Sequence, residues 1–291
     1  LMRCLLALCL IAAFVATAAA APAKVLLVEG GRPWEADEIR DLIRKMGYAC
    51  DCINSTGLAG LGGAPLGPPG DPTAAAPAAK DDLGPALDRL GEYRAVILAG
   101  LTLENAARLF PPERAAIMAA YVRAGGGLFL TFSAPASLQE IAPVTLGPLR
   151  APAPLDATTV DRDHPAARGL PERWPPLNAA LRQTRFRDGA AMLVSRAAGD
   201  GVDTVLAAGT GGAGRVLFFN GDISFGLSWR VVRKWAYFPA LLGGALRWLT
   251  GQEPDLAAVR RWVPPYPETP AVRSASVRLA PPRFEETEAK G

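Results

Sequence analysis

The sequence predicts an α/β fold: a mostly parallel sheet covered on both faces, with an antiparallel section at one edge. Three observations carry this expectation. Short apolar runs alternate with segments of helical periodicity through the first half of the chain. Those runs, KVLLVE and AVILA among them, are nearly uniform in polarity, as strands buried on both faces are. The later runs are separated by short turns instead of helices, which suits antiparallel neighbours.

Lys24 to Glu29 reads as the first strand and stops at Gly30-Gly31. Trp34 to Met46 reads as a helix, because Ile39, Leu42, Ile43 and Met46 fall at i, i+3, i+4 and i+7; Pro33 suits its first turn and Gly47 its end. Tyr48 to Ile53 is the second strand. A strand–helix–strand unit favours parallel pairing with a right-handed crossover. Residues 55–80, rich in Gly, Pro and Ala, read as a flexible surface insert without chemistry of its own.

A short helix from Leu83 to Leu90 leads to a strand at Ala95 to Ala99. The next helix, Glu113 to Ala124, groups Ile117, Tyr121 and Val122, and three glycines end it before the strand Leu128 to Phe132. Residues 143–174 are proline-rich, with one short strand at Thr158 to Val160. Met192 to Ser195 and Thr204 to Ala207 follow as strands, and the glycine turn Gly209 to Gly214 reads as a tight hairpin into the strand Arg215 to Asp222. A closing helix is expected from Trp229 to Leu249. Trp235, Phe238, Leu242, Ala245 and Leu249 share one stripe against the sheet, and Gly243-Gly244 would admit a close neighbour. Residues 264–291 show neither periodicity and are expected to be disordered.

Composition removes several functions. The net charge is +3, from 31 Lys and Arg against 28 Asp and Glu, and the basic residues are scattered, so no nucleic-acid stripe exists. The single histidine, His164, rules out a multi-histidine metal centre. GTGGAGR lacks the lysine and hydroxyl of a phosphate loop and precedes a strand instead of opening a helix. No cofactor is implied. Cys50 and Cys52 sit at i and i+2 of a strand and so share a face; they read as core-facing residues, a disulfide between them being strained. Residues 2–21 place an arginine before an apolar run and then small residues, the pattern of a signal peptide (1–20) cleaved after Ala20. The alternative is a retained anchor, but the apolar stretch Cys4 to Val15 is short of the roughly 20 residues a spanning helix needs. The expected location is therefore periplasmic or extracellular, or membrane-associated if the signal stays on, with no transmembrane span in the mature chain.

Taken in order, KVLLVEGGRPWE, AVILAG, AAYVRAGGGLFLTF, DHPAARGLP, GAGRVLFFNGD and WAYFPALLGGALRWLTG resemble a class I glutamine amidotransferase-like domain, over about residues 24–251. The likeness is greatest to the branch found in secreted and membrane-anchored bacterial proteins. It implies a flavodoxin-like three-layer sandwich. In that family a cysteine stands in a strained, glycine-flanked elbow after a central strand, with a histidine and a glutamate near the last strands. Here the elbow reads Thr131-Phe132-Ser133-Ala134-Pro135, with neither glycine, and the later stretch Phe219 to Asp222 has no histidine.

With the family's thiol and imidazole missing, the resemblance implies a non-catalytic domain that binds a small ligand or an envelope protein. Two alternatives stand beside it. One is a serine hydrolase in which His164 activates Ser133; the other is a structural module of an envelope assembly. Ligands of parallel sheets bind at the carboxyl ends of strands. On that topological ground Glu29, Arg32, Ser133, His164 and Asp222 are expected to line one pocket.

Overall fold

The computed structural model describes residues 21–30, 33–54, 83–149, 153–155, 157–174, 177–179, 181–198, 201–224 and 235–260. The signal segment, the insert at 55–80, Arg32 and the tail at 264–291 lie outside the described residues.

The frame is an eight-stranded mixed sheet. Its strands are β1 (Lys24–Glu29), β2 (Ala49–Asn54), β3 (Ala95–Ala99), β4 (Gly127–Thr131), β7 (Ala157–Thr159), β10 (Ala191–Ala198), β11 (Gly201–Gly211) and β12 (Gly214–Phe219), in the order β2-β1-β3-β4-β12-β11-β10-β7. The first five in that order pair parallel, and β11, β10 and β7 continue antiparallel. The parallel block with an antiparallel edge is the fold class expected from the sequence. Two small antiparallel pairs lie outside this sheet: β5 (Val144–Leu149) with β9 (Arg182–Phe186), and β6 (Ala153–Leu155) with β8 (Leu177–Ala179).

Helices cover both faces because the parallel strands are apolar on both. Alternate residues of β1 divide between the two cores: Val25 and Leu27 join α1 (Pro33–Lys45) and α5 (Phe238–Thr250), while Leu26 and Val28 join α2 (Leu83–Leu87), α3 (Leu103–Leu109) and α4 (Pro112–Arg123). β4 divides in the same way, Phe129 to one side and Leu128 and Leu130 to the other. Each such side chain, fully withdrawn from water, stabilises the fold by about 1.5–3 kcal/mol relative to exposure. The stripe expected on α1 is all there: Ile39, Leu42, Ile43 and Met46 are buried.

The closing helix differs from the expectation. Residues 229–234 lie outside the described residues; 235–237 form a turn, the helix runs from Phe238, and Trp235 stacks on Trp174 at 4.7 Å between ring centroids. Pro239 stands in the helix's first turn, a position that does not need its missing N–H. Phe238, Leu242, Ala245 and Leu249 pack on the sheet as expected. A Cβ on Gly244 would collide with the Ala166 carbonyl oxygen, so the bare backbone is what lets the 164–167 loop lie against this helix. A short helix α6 (Leu256–Arg260) follows. Among the described residues no helix is long and apolar enough to cross a membrane.

Candidate functional site at the carboxyl edge of the sheet

In a sheet ordered 2-1-3-4, neighbouring connections leave in opposite directions at the β1/β3 boundary, and the crevice outside the carboxyl ends there is where such folds hold ligands. β1 ends on Glu29 and β3 is followed by Gly100. Gly30 donates its N–H to the Ala99 carbonyl at 2.9 Å, and a Cβ on Gly30 would come within 2.6 Å of the Gly100 oxygen. The two strand ends are thus drawn together, and only glycine fits between them.

The chain itself fills this crevice. Leaving β12, the segment Asn220–Ser224 turns back across the strand ends. Gly221 accepts the Phe132 N–H at 3.1 Å, beyond β4. Asp222 accepts the Gly100 N–H with both oxygens, at 3.0 and 3.1 Å, beyond β3, and its Oδ1 also accepts the Ser224 N–H at 2.8 Å. Ser224 then donates its hydroxyl to Glu29 Oε1, at the end of β1. Asn220 reaches the other way. Its Oδ1 accepts the Arg182 N–H at 2.9 Å, and its Nδ2 donates to the Arg182 and Thr204 carbonyls at 2.8 and 2.9 Å. Glu29, Asn220, Asp222 and Ser224 are all 0% exposed. Buried carboxylates persist where hydrogen bonds replace water, and this segment supplies them.

Ser133 lies on the same edge but is 1% exposed, its Oγ 3.1 Å from Thr131 Oγ1. The turn is closed by the Ala134 N–H donating to Thr131 at 2.9 Å. No non-glycine among the described residues has a positive φ, so the strained elbow that presents a nucleophile is not formed here.

His164 is elsewhere. Its ring packs at 4.5 Å on Trp248, in the last turn of α5, and its Nδ1 accepts the Ala166 N–H at 3.2 Å; Asp161 Oδ1 accepts the His164 N–H at 3.1 Å. The Trp248 carbonyl accepts from the guanidinium of Arg215, which opens β12. His164 therefore sits at the amino edge of the strands. Ser133 follows their carboxyl edge, about one five-residue strand or roughly 16 Å away at 3.3 Å per residue. Burial lowers the His164 pKa, and Asp161 opposes that shift only in part.

The five residues expected to share a pocket separate accordingly. Glu29 and Asp222 come together through Ser224, and Ser133 stands at a neighbouring strand end. His164 faces the opposite edge, because its loop folds along α5 instead of over β4; the pocket common to all five, and the Ser133–His164 dyad with it, are corrected on that ground. Arg32 is outside the described residues. Glu29 is buried. The residue that sequence reasoning missed is Ser224. Its signal was present: an Asp followed two residues later by an N–H it can accept is an Asx turn. Cys50 and Cys52 are free thiols on the α1 face, as core-facing residues are.

A mostly parallel sheet in this order, layered between helices and carrying a buried polar network at its switch point, places the chain in the class of glutamine amidotransferase-like α/β domains. The profile of one family, GATase1_like, described as "Putative glutamine amidotransferase", matches residues 75–251, well over half of the chain, and the protein belongs to that family. Among solved structures it is similar to two cytoplasmic proteins of Salmonella typhimurium. The first has a TM-score of 0.55 at 15% identity and covers 78% of this chain and 99% of its own. The second has a TM-score of 0.54 at 16% identity, covering 78% and 98%. A glutamine amidotransferase of Thermotoga maritima superposes with a TM-score of 0.48 at 11% identity, over 79% of this chain and 99% of that one. Among curated proteins none matches.

Proposed function

We propose that the chain is an exported, non-catalytic glutamine amidotransferase-like domain that acts by binding a ligand or a partner protein. The observation carrying this is the closed carboxyl edge. The hydroxyl at the family's nucleophile position is buried against Thr131, no imidazole reaches it, and the crevice beside it holds the chain's own Asp222–Ser224 segment. A serine hydroxyl needs a base within hydrogen-bond reach to attack a carbonyl. Export rests on the arginine and apolar run of residues 2–21.

The test is a fluorophosphonate probe applied to the purified chain. A binding domain stays unlabelled at Ser133. Labelling at Ser133 that disappears in both Ser133→Ala and His164→Ala would establish the serine hydrolase instead.

A further inference from the structure

Away from the closed carboxyl edge, an open groove lies toward the opposite end of the strands. The groove, of about 460 Å³, runs between the end of α4, the 3-10 turn Ala136–Ile141, the β9–β10 turn and the β11–β12 hairpin. That volume is in the range of small-molecule sites, roughly 300–1,000 Å³.

Its charges are unevenly satisfied. Arg123 and Glu140 pair at 2.7 Å with side chains 57% and 62% exposed, a screened contact that a ligand can displace at little cost. Arg187 donates through Nη1 to the Glu140 carbonyl at 2.9 Å, and among the described residues its buried Nε has no partner and no carboxylate pairs with it. The adjacent Asp188 is exposed, and among the described residues no cation pairs with it. The N–H groups of Gly189 and Gly212, on the two turns walling the groove, donate to no described group. One wall therefore presents an unmatched cation, an unmatched anion and free backbone donors within a few residues. The four charged side chains sum to zero, so a singly charged ligand meets as much repulsion as attraction. A ligand carrying both signs finds a partner of opposite charge for each of them among these side chains.

From this we infer that the groove binds a small zwitterion of amino-acid to dipeptide size. The carboxylate lies on Arg187, Arg123 and the glycine N–H groups, and the ammonium on Asp188 with Glu140. The inference rests on the binding role proposed above only in naming a ligand. The site is at the other end of the sheet, and the two fail separately: labelling of Ser133 would sink the first and leave the groove untouched.

The experiment is titration calorimetry of the full chain with L-alanyl-L-alanine, alongside its N-acetyl, N′-methylamide analogue, acetate and methylammonium. Saturable dipeptide binding is expected, with the neutral and singly charged probes at least about 10-fold weaker, the difference of one well-made ionic contact. Asp188→Asn and Arg187→Gln should each weaken the dipeptide by about 10-fold or more. Asp188 is exposed, so its variant folds even if Arg187→Gln, which gives up the Glu140 carbonyl contact, does not. Absence of saturable binding, equal binding of the neutral analogue, or an unchanged affinity in folded Asp188→Asn would each overturn the inference.

Discussion

Asp222 receives the backbone N–H of Gly100 on both carboxylate oxygens, across 122 positions of sequence. The contact fastens the segment after β12 to the end of β3, and through Ser224 to the end of β1. Replacing Asp222 by Ala leaves the buried Gly100 and Ser224 N–H groups without acceptors. Each such orphan costs about 1–3 kcal/mol, so a loss of roughly 2–6 kcal/mol is expected. Urea denaturation checks it, with a lowered midpoint at unchanged slope as the expected result.

Ser133→Ala should behave very differently. It removes one buried hydroxyl whose one side-chain partner among the described residues is Thr131, so the change should be about 1 kcal/mol or less if the Thr131 hydroxyl turns to another acceptor. A melting temperature within a few degrees of the parent is expected; collapse of the fold would show that the hydroxyl carries more than this contact.

The two adjacent glycines of α5 should separate cleanly. A Cβ at Gly244 meets the Ala166 carbonyl, which is backbone, whereas one at Gly243 comes 2.7 Å from Leu256 Cδ2, the end of a flexible side chain. Both alanine variants gain about 1 kcal/mol of helix propensity. Overpacking of about 1–3 kcal/mol or more should outweigh that gain at Gly244 and roughly cancel it at Gly243. Thermal melts of the two variants side by side decide the matter.

His164 gives a pH dependence of definite sign. Its folded pKa is lowered from 6.5, first by burial. The unfolded chain therefore binds more protons over the interval between the folded value and 6.5, and stability rises with pH there. The contribution is complete above 6.5 and is lost as pH falls toward the folded pKa. His164→Phe, which keeps a ring on Trp248, should flatten that part of the melting-temperature profile; an unchanged slope would assign it to other groups.

The thiols of Cys50 and Cys52 are pushed up to about 12 and about 11, burial being the first cause of each. Both should stay protonated at neutral pH and react slowly with an aromatic disulfide reagent until the chain unfolds, since the thiolate is the nucleophile. Rapid stoichiometric reaction in the native protein, or an intact mass two hydrogens light, would contradict this placement.

How much of this could be read beforehand depended on where the information lay. β1, α1, β3, β4 and the β11–β12 hairpin announce themselves through uniform apolar runs, helical spacing and glycine turns. The helix Leu103–Leu109 was missed because LENAARL buries only Asn105, Ala106 and Leu109, and its clearest mark is the Thr102 hydroxyl accepting the Asn105 N–H. β9, RQTRF, was missed because three of its five residues are exposed and its stability comes from pairing with β5. Glu29 and Asp222 lie at one end of the sheet, and strand direction alone fixes which end a residue follows. His164 does not share that end, because a loop's direction over the sheet is set by what it packs on, here Gly244 and Trp248, and spacing does not record that.

The bond from Ser224 to Glu29 joins residues 195 positions apart, and the Ala23 N–H is held by Gln252 across 229. A ribosome making this chain in order releases β1 long before either partner exists. The first strand can pair with β2 and β3 early, but the bonds at its two ends close only after most of the domain is synthesised, and contacts of such separation form slowly. A polypeptide with this timetable stays open at those two ends for longer than one stitched together by near neighbours, and a chaperone or a protease would meet it before it locks.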